Sequence, residues 1–222
     1  MRRECRICGA DATSAACYLV PEMMFGTREE FEYFECKACG CLQISSVPDN
    51  LSDYYPPGYY SYNVESPWKI WLKGQRLLHD IGRLSLIGAR MSKRYGPDAC
   101  ARAVKLGAVG ANDAILALGG GSGAHLRPLR AAGFRNLLSV DPFVQCEISE
   151  TGLKVRRMHL QDVQGSFRLI MVHHSFEHMP EPHEILSAAS DRLTGDGLLL
   201  VRIPVLGYGW REYGVNWIEL DA

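Results

Sequence analysis

The most restrictive feature of the sequence is a cysteine motif that occurs twice. Segments 5–9 and 36–40 both read Cys-x-x-Cys-Gly. Two intervening residues let one tight turn aim both sulfurs at a single ion, and the glycine frees the backbone to curl beneath them. The repetition predicts one four-thiolate zinc site, which is structural because a closed site keeps no open coordination position. The predicted ligands are Cys5, Cys8, Cys36 and Cys39.

These ligands define a zinc-ribbon-like module over residues 1–46, with short strands expected at 18–20 and 31–34. The alternatives are four free thiols or, in a secreted chain, disulfides. The segment after Met1 is polar and lacks the apolar stretch of a signal peptide. We therefore expect a cytoplasmic chain with reduced cysteines.

Composition restricts the remaining classes. The chain is 47% apolar and 22% charged, with 24 basic and 25 acidic residues and a net charge of −1. This is ordinary globular composition, which disfavours disorder and coiled coil. The balanced charge argues against a nucleic-acid partner. No apolar run reaches the ~20 residues that a membrane span needs.

Residues 47–110 are predicted to form a linker and a basic amphipathic helix. Tyrosine, proline and glycine crowd 54–62, where the tyrosines either pin the linker to a surface or line an acceptor pocket. A helix is expected over 66–94, with Ser66 as N-cap and Pro67 in the first turn. Its basic face is either solvated while the helix packs on the main domain, or makes peripheral membrane contact through residues 67–94.

Residues 111–222 begin as a nucleotide-binding α/β unit. A strand at 114–118 leads into the glycine loop 119–123 and a helix over 124–132, in which His125 is assigned to the surface. The next strand, 136–140, ends at Asp141, which suits a ribose contact. A glycine loop alone is weak evidence and also fits a dinucleotide-binding pattern, so the later segments decide.

Five segments in order resemble class I S-adenosylmethionine-dependent methyltransferases. They read L-G-G-G-S-G, strand-end D, L-Q-D, H-S-F-E-H-M-P-E-P and L-T-G-D-G-L-L-L. The resemblance implies a Rossmann-like α/β sheet with S-adenosylmethionine as cofactor. The segments are 118–123, Asp141, 160–162, 174–182 and 193–200.

The resemblance covers residues 110–204, and the family usually continues with two strands beyond the point where this chain stops. We therefore expect the C-terminal strands to be missing and the core to be incomplete. The N-terminal module and linker look, more loosely, like those of bacterial methyltransferases acting on sugars or surface-glycan precursors. A sugar, nucleotide-sugar or glycan precursor is thus the expected acceptor.

The resemblance also implies site residues. His174 is the first candidate for the general base and His178 the second, because an imidazole titrates near neutrality. Glu177 would orient one of them; alternatively Glu177 and His178 only rigidify the turn. The implied cofactor contacts are Gly119, Gly121 and Gly123 with the methionine part, Asp141 with the ribose, Asp162 with the adenine amine, Leu160 or Val163 with the adenine ring and His173 with the sulfonium.

Two other functions stay open at this point. One is an RNA methyltransferase that grips nucleic acid with the zinc module, although the module lacks interleaved basic and aromatic residues. The other is a non-catalytic scaffold that binds the cofactor. The pattern fixes neither the acceptor atom nor the oligomeric state, and a weak divalent-ion site at His174–His178 is also left open.

Overall fold

The computed structural model describes residues 3–23, 26–56 and 62–217. Contacts divide the described residues into two compact units. The first unit draws on Met1–Pro56, Glu177–Glu184 and Ile203–Ala222, and the second on Pro57–Phe176 and Ile185–Arg202. Tyr59 and Tyr60 of the tyrosine-rich linker lie outside the described residues.

The first unit contains a three-stranded antiparallel sheet in the order β1-β2-β3. In the central strand Phe31 and Tyr33 are buried and alternate with the exposed Glu30 and Glu32, the pattern of a sheet with one covered face. Phe34 is buried as well, in the cluster of Cys5 and Cys36. Both strands expected from the sequence are confirmed, and a third follows the second cysteine pair. The strands are β1 (Ala16–Pro21), β2 (Glu30–Glu35) and β3 (Leu42–Ile44).

An aromatic contact joins the end of this unit to its sheet. Trp210 lies in helix Tyr208–Tyr213 and is buried. Its ring meets that of Tyr18 edge to face, with centroids 5.0 Å apart and planes at 88°. The indole of Trp217 packs against Gly209. These aromatic residues after 204 serve packing within the first unit.

The second unit is built on a six-stranded sheet in the order β6-β7-β5-β4-β8-β9. All neighbouring strands are parallel except β6, which pairs antiparallel with β7. The strands are β4 (Ile115–Leu118), β5 (Leu137–Val140), β6 (Ile148–Glu150), β7 (Leu153–Arg156), β8 (Phe167–His173) and β9 (Leu193–Arg202).

The strand order places a topological switch point between β4 and β8. After β4 the chain builds outward through β5 and β7, and it then returns to add β8 and β9 on the other side. Every residue of β4 is buried, as expected for a strand covered on both faces. Open α/β sheets bind ligands at the carboxyl ends of their strands beside such a switch point, which here lies between Gly119 and His173.

Helices accompany the sheet of the second unit. The prediction of a single helix over 66–94 was wrong, because the chain forms two helices separated at 81–85. Gly82 adopts a left-handed φ of 92°, and the Ser85 side chain accepts from Gly88 N to cap the second helix. The helices in chain order are α1 (Pro67–Asp80), α2 (Leu86–Tyr95), α3 (Ala99–Leu106), α4 (Leu126–Ala131), α5 (Pro182–Asp191) and, in the first unit, α6 (Tyr208–Tyr213).

Two glycines allow close helix packing around α1. A Cβ at Gly88 would come within 2.0 Å of the Gln75 carbonyl oxygen, and one at Gly74 within 2.7 Å of the Ala131 Cβ. Leu77 of α1 is fully buried in the core. Helix α1 therefore packs on the domain, and none of the described helices is long and apolar enough to cross a bilayer.

Candidate functional site

The four cysteines of the two motifs converge. Their sulfurs lie within 4.8 Å of one another. Cys5 Sγ is 3.7 Å from Cys39 Sγ, and Cys8 Sγ is 3.7 Å from Cys36 Sγ. Zinc–sulfur bonds of ~2.3 Å in a tetrahedron give sulfur separations of about 3.8 Å, so the cluster has the dimensions of a zinc site.

Both motifs fold into the same turn, here called the knuckle turn. In the first, Gly9 N donates to Cys5 O and Cys5 N donates to Ala10 O, at 2.9 Å each. In the second, Gly40 N donates to Cys36 O at 2.8 Å and Cys36 N donates to Cys41 O at 2.9 Å. Gly9 and Gly40 have φ of 69° and 73°, a left-handed conformation in which glycine carries no steric cost.

The surroundings of Cys5 favour its thiolate, whereas the pKa values of Cys8 and Cys39 are raised. Gln43 Nε2 donates to Cys5 Sγ at 3.1 Å. Burial opposes ionisation of Cys5, but backbone N–H groups of the knuckle turn and the Gln43 amide bring its pKa down to about 6. The hydrophobic cluster beside it is small, formed around Phe34 and Ala12. A module with so little core is of the kind that a bound metal ion can stabilise.

The glycine loop connects β4 to α4. Gly119, Gly121 and Gly123 have φ of 59°, 50° and 80°, all in the left-handed region. A side chain at these three positions would be strained, so the alternation of glycines is required by the backbone. The loop thereby presents bare main chain at the carboxyl edge of the sheet.

The middle glycine is required for a different reason, which the sequence alone did not show. A Cβ at Gly120 would lie 2.3 Å from Ser139 Oγ and 3.0 Å from the Ala117 Cβ. Ser139 is fully buried in β5. The loop therefore lies directly against the neighbouring strand, and no larger residue fits beneath it.

Asp141 follows β5 and supports the loop. Its Oδ2 accepts from Gly121 N at 3.1 Å, and its Oδ1 accepts from Phe143 N at 2.9 Å. The carboxylate is buried, with 8% of the residue exposed. It is thus held beside the glycine loop, where an acid can accept from the two hydroxyls of a ribose.

The third predicted cofactor segment forms a short 3-10 turn, Leu160–Asp162. Asp162 is exposed, whereas Leu160 and Val163 are buried. The segment therefore offers a carboxylate at the surface with apolar packing behind it.

His173 ends β8 and is buried, with 7% of the residue exposed. Its ring stacks on that of His125, with centroids 4.4 Å apart and planes at 18°. Its Nε2 lies 3.5 Å from Cys100 Sγ of α3. His125, assigned to the surface from the sequence, keeps an exposed edge but also covers His173. Cys100 completes a three-residue cluster that no sequence motif predicted.

Burial keeps His173 neutral. Loss of solvent, with the charges of His125 and Arg202, lowers the pKa of His173 from its ordinary 6.5 to about 3. Burial and the charge of Arg202 also lower the pKa of His125. His173 is therefore uncharged at neutral pH.

The hydrogen-bond roles at Nε2 of His173 depend on the tautomer of the ring. Burial raises the pKa of Cys100 to about 12, so this side chain is a thiol with one proton to donate. A thiol that donates to Nε2 leaves the ring proton of a neutral histidine on Nδ1. Nδ1 is buried and has no hydrogen-bond partner within the described ranges. Buried polar atoms are normally satisfied, so in this tautomer Nδ1 fits a ligand acceptor.

The predicted bases follow directly after β8. His174 is exposed and has a φ of 47°, which is uncommon outside glycine. Its N donates to Arg202 O at 2.8 Å, and Ser175 Oγ donates to Leu118 O at 2.9 Å. These bonds fix the turn at the ends of β4 and β9. Phe176–His178 then forms a 3-10 turn in which Glu177 is exposed and His178 half-buried.

The switch point, the glycine loop and the strand-end acid define a Rossmann-like sheet of the class I methyltransferase type. A family model described as "Methyltransferase domain" matches residues 91–221, more than half of the chain. The chain belongs to this methyltransferase family.

Two similar proteins were found by sequence and by structure. The chain is 30% identical over 109 residues to "C-methyltransferase NovU" of Streptomyces niveus, covering 42% of this chain and 24% of that protein. The match thus spans about a quarter of the relative's length. The crystal structure of the plantazolicin methyltransferase BpumL, in complex with a monoazolic desmethylPZN analog and SAH, aligns over 68% of this chain and 51% of that one, with a TM-score of 0.35 and 11% identity.

Proposed function

We propose that the protein is an S-adenosylmethionine-dependent methyltransferase that acts on a small molecule. The observation that carries the proposal is the glycine loop with Asp141 bonded to Gly121 N at the switch point, in a chain of the methyltransferase family. The glycine at position 120 lets the loop lie directly against β5. When bound, the cofactor supplies a methyl group on a sulfonium.

The residues present fit that cofactor. Gly119, Gly121 and Gly123 would run beneath its methionine part, and Asp141 would accept from the ribose hydroxyls. The orphan Nδ1 proton of His173 suits a carboxylate oxygen of the methionine part, which refines its predicted place near the sulfonium. Because His173 is neutral, it adds no positive charge near a cationic ligand. Asp162 would accept from the adenine amine, with Leu160 behind the ring.

The acceptor we favour is a sugar or nucleotide-sugar carbon next to a carbonyl group. The resemblance of the N-terminal region to sugar methyltransferases supports the sugar, and a similar protein named as a C-methyltransferase supports carbon. A carbon acceptor needs a base, since the proton must leave before the carbon can attack. His174 is the proposed base, with His178 second and Glu177 orienting the imidazole.

The cysteine cluster is proposed to hold structural zinc, supported by the 3.7 Å sulfur separations. The four thiols would stay available to the ion in a reducing compartment, so we propose a cytoplasmic protein. The carboxylates of the exposed Glu30 and the half-buried Glu35 in β2 do not favour an RNA-binding role for this module.

Calorimetry with S-adenosylmethionine, S-adenosylhomocysteine and NAD tests the proposal. We expect both methionine-derived ligands to bind, NAD not to bind, and Asp141→Asn to weaken cofactor binding about tenfold through loss of a charge-assisted hydrogen bond. Asp113→Asn, an exposed carboxylate in the turn before β4, is the matched control and should bind as the native chain does. Binding of NAD alone would remove the methyltransferase assignment.

A further inference from the structure

The exposed side of helix α2 and the turn before it form an apolar tip followed by a basic stripe. Leu84, Leu86 and Ile87 are 94%, 83% and 45% exposed. Leucines exposed to this degree are informative when they cluster, because large exposed apolar patches mark interaction sites. These three residues are here called the α2 tip.

The basic stripe lies on the same helix face as the tip. Residues 86, 87, 90, 93 and 94 recur at spacings of three, four and seven, which places them on one side of a helix, and all are exposed. The opposite side carries Gly88, which packs against Gln75 of α1. The exposed face therefore points away from the domain. Its cations are Arg90, Lys93 and Arg94, with Arg83 beside the tip.

These cations are not neutralised by the protein. Across the described ranges none of the four forms an ion pair, whereas Arg76 and Lys73 of α1 pair with Asp98 and Glu65. Among the described residues the stripe therefore keeps its charge open to the outside. A partner that fits it has anionic groups next to an apolar environment.

We propose that the α2 tip and its basic stripe dock on an anionic lipid bilayer. An interfacial helix buries its apolar part ~5–10 Å into the headgroup boundary and keeps its cations among the phosphates. Seven residues separate Ile87 from Arg94, about 10 Å at the helical rise. With the helix inclined so that its N-terminal end enters first, the tip reaches the acyl boundary while Lys93 and Arg94 lie at the phosphates.

Other occupants fit less well. A symmetric dimer through this face would place the same patch on both copies, so the cations of the stripe would oppose one another. Single-stranded RNA is bound by cations interleaved with stacking aromatics, whereas the α2 tip is aliphatic. The proposal is independent of methyl transfer.

Vesicle co-sedimentation of the full chain tests it. We expect binding to phosphatidylglycerol–phosphatidylcholine vesicles, loss of binding at high salt, and no binding to pure phosphatidylcholine. L84E/L86E should reduce the bound fraction about tenfold or more, since both side chains lie outside the core. The matched control is L106E, on a leucine that is 71% exposed in α3.

The charges are tested in the same assay. R90E/R94E should reduce binding about tenfold or more, while R135E/K154E, on two exposed residues of the sheet region, should not. Equal binding of all variants, or none by the native chain, overturns the proposal. So does a dimer seen by light scattering that L84E/L86E disrupts, or binding of RNA without binding of vesicles.

Discussion

The thiol of Cys100 lies 3.5 Å from Nε2 of His173, joining α3 to the carboxyl end of β8. Because Cys100 stays protonated, with a pKa raised to about 12, its thiol can donate to Nε2, and we propose this tautomer, with the ring proton on Nδ1. Cys100 would then be a positioning residue, since it would act on the proposed cofactor only through His173.

Replacing Cys100 by alanine should allow both neutral tautomers of His173. Without the donor, His173 can carry its proton on either nitrogen, so the ring ¹⁵N shifts should move from one neutral tautomer toward a mixture. Cofactor affinity should fall a few-fold, since one donor is aligned only part of the time. Cys146→Ala, at an exposed cysteine, is the control. Unchanged ring shifts in Cys100→Ala would contradict the assignment.

His173 should also make stability fall in acid. Its pKa is about 3 in the folded chain and 6.5 when exposed, so the unfolded chain binds the proton more readily. The stability that the neutral ring contributes is fully present above pH 6.5 and is lost as the pH falls from 6.5 toward 3. Chemical denaturation across this range should show a shallower decline for His173→Gln. If the unfolding free energy falls equally steeply with pH in the two proteins, His173 is not a buried neutral ring.

Gly120→Ala should disturb the cofactor loop. The new Cβ would meet Ser139 Oγ at 2.3 Å, and overpacking of this kind costs roughly 1–3 kcal/mol of unfolding free energy. Cofactor affinity should fall with it, since the loop must lift from β5. Gly195→Ala is the control, because nothing lies within 4 Å of its Cβ and its φ is not left-handed. Thermal unfolding and calorimetry give both readouts.

The double variant Gly120→Ala/Ser139→Ala separates the clash from loss of glycine flexibility. Removing Oγ leaves the Ala117 Cβ at 3.0 Å as the nearest atom, so part of the stability should return. If Ser139→Ala restores none of it, the contact with Ser139 is not the cause.

The sequence predicted best what local spacing dictates. The knuckle turns need only a fixed run of residues and a glycine with positive φ, so both were readable. Strands β4 and β5 were readable as short apolar runs between turns. What the sequence missed depends on distant residues, since Cys100 and His173 are neighbours only because α3 packs beside the sheet. The single helix expected over 66–94 failed for the same reason, because the break before α2 brings Gly88 against Gln75 of α1.

Zinc should depend on Cys36 and not on Cys41. Cys36→Ser removes one of the four converging sulfurs, whereas Cys41 lies outside the cluster of four. We expect about one zinc per native chain, little in Cys36→Ser, and the native amount in Cys41→Ser. The β1–β3 sheet should lose its near-ultraviolet circular dichroism only in Cys36→Ser. Less than about half a zinc in the native chain would remove the site.

His174 combines a chemical role with a backbone role, and two variants separate them. Its φ of 47° suits asparagine better than alanine, because asparagine enters the left-handed region at lower cost. Hence His174→Asn should keep native stability and cofactor binding, whereas His174→Ala should lose about 1 kcal/mol.

Both His174 variants should lose the base. With labelled S-adenosylmethionine and a panel of keto-sugar nucleotides, methyl transfer should fall about 10²–10⁴-fold in each, the usual contribution of a positioned general base. His79→Asn, at an exposed histidine of α1, is the matched control and should keep full activity. Full turnover by His174→Asn would show that His174 is not the general base. His178 would then be the candidate to test.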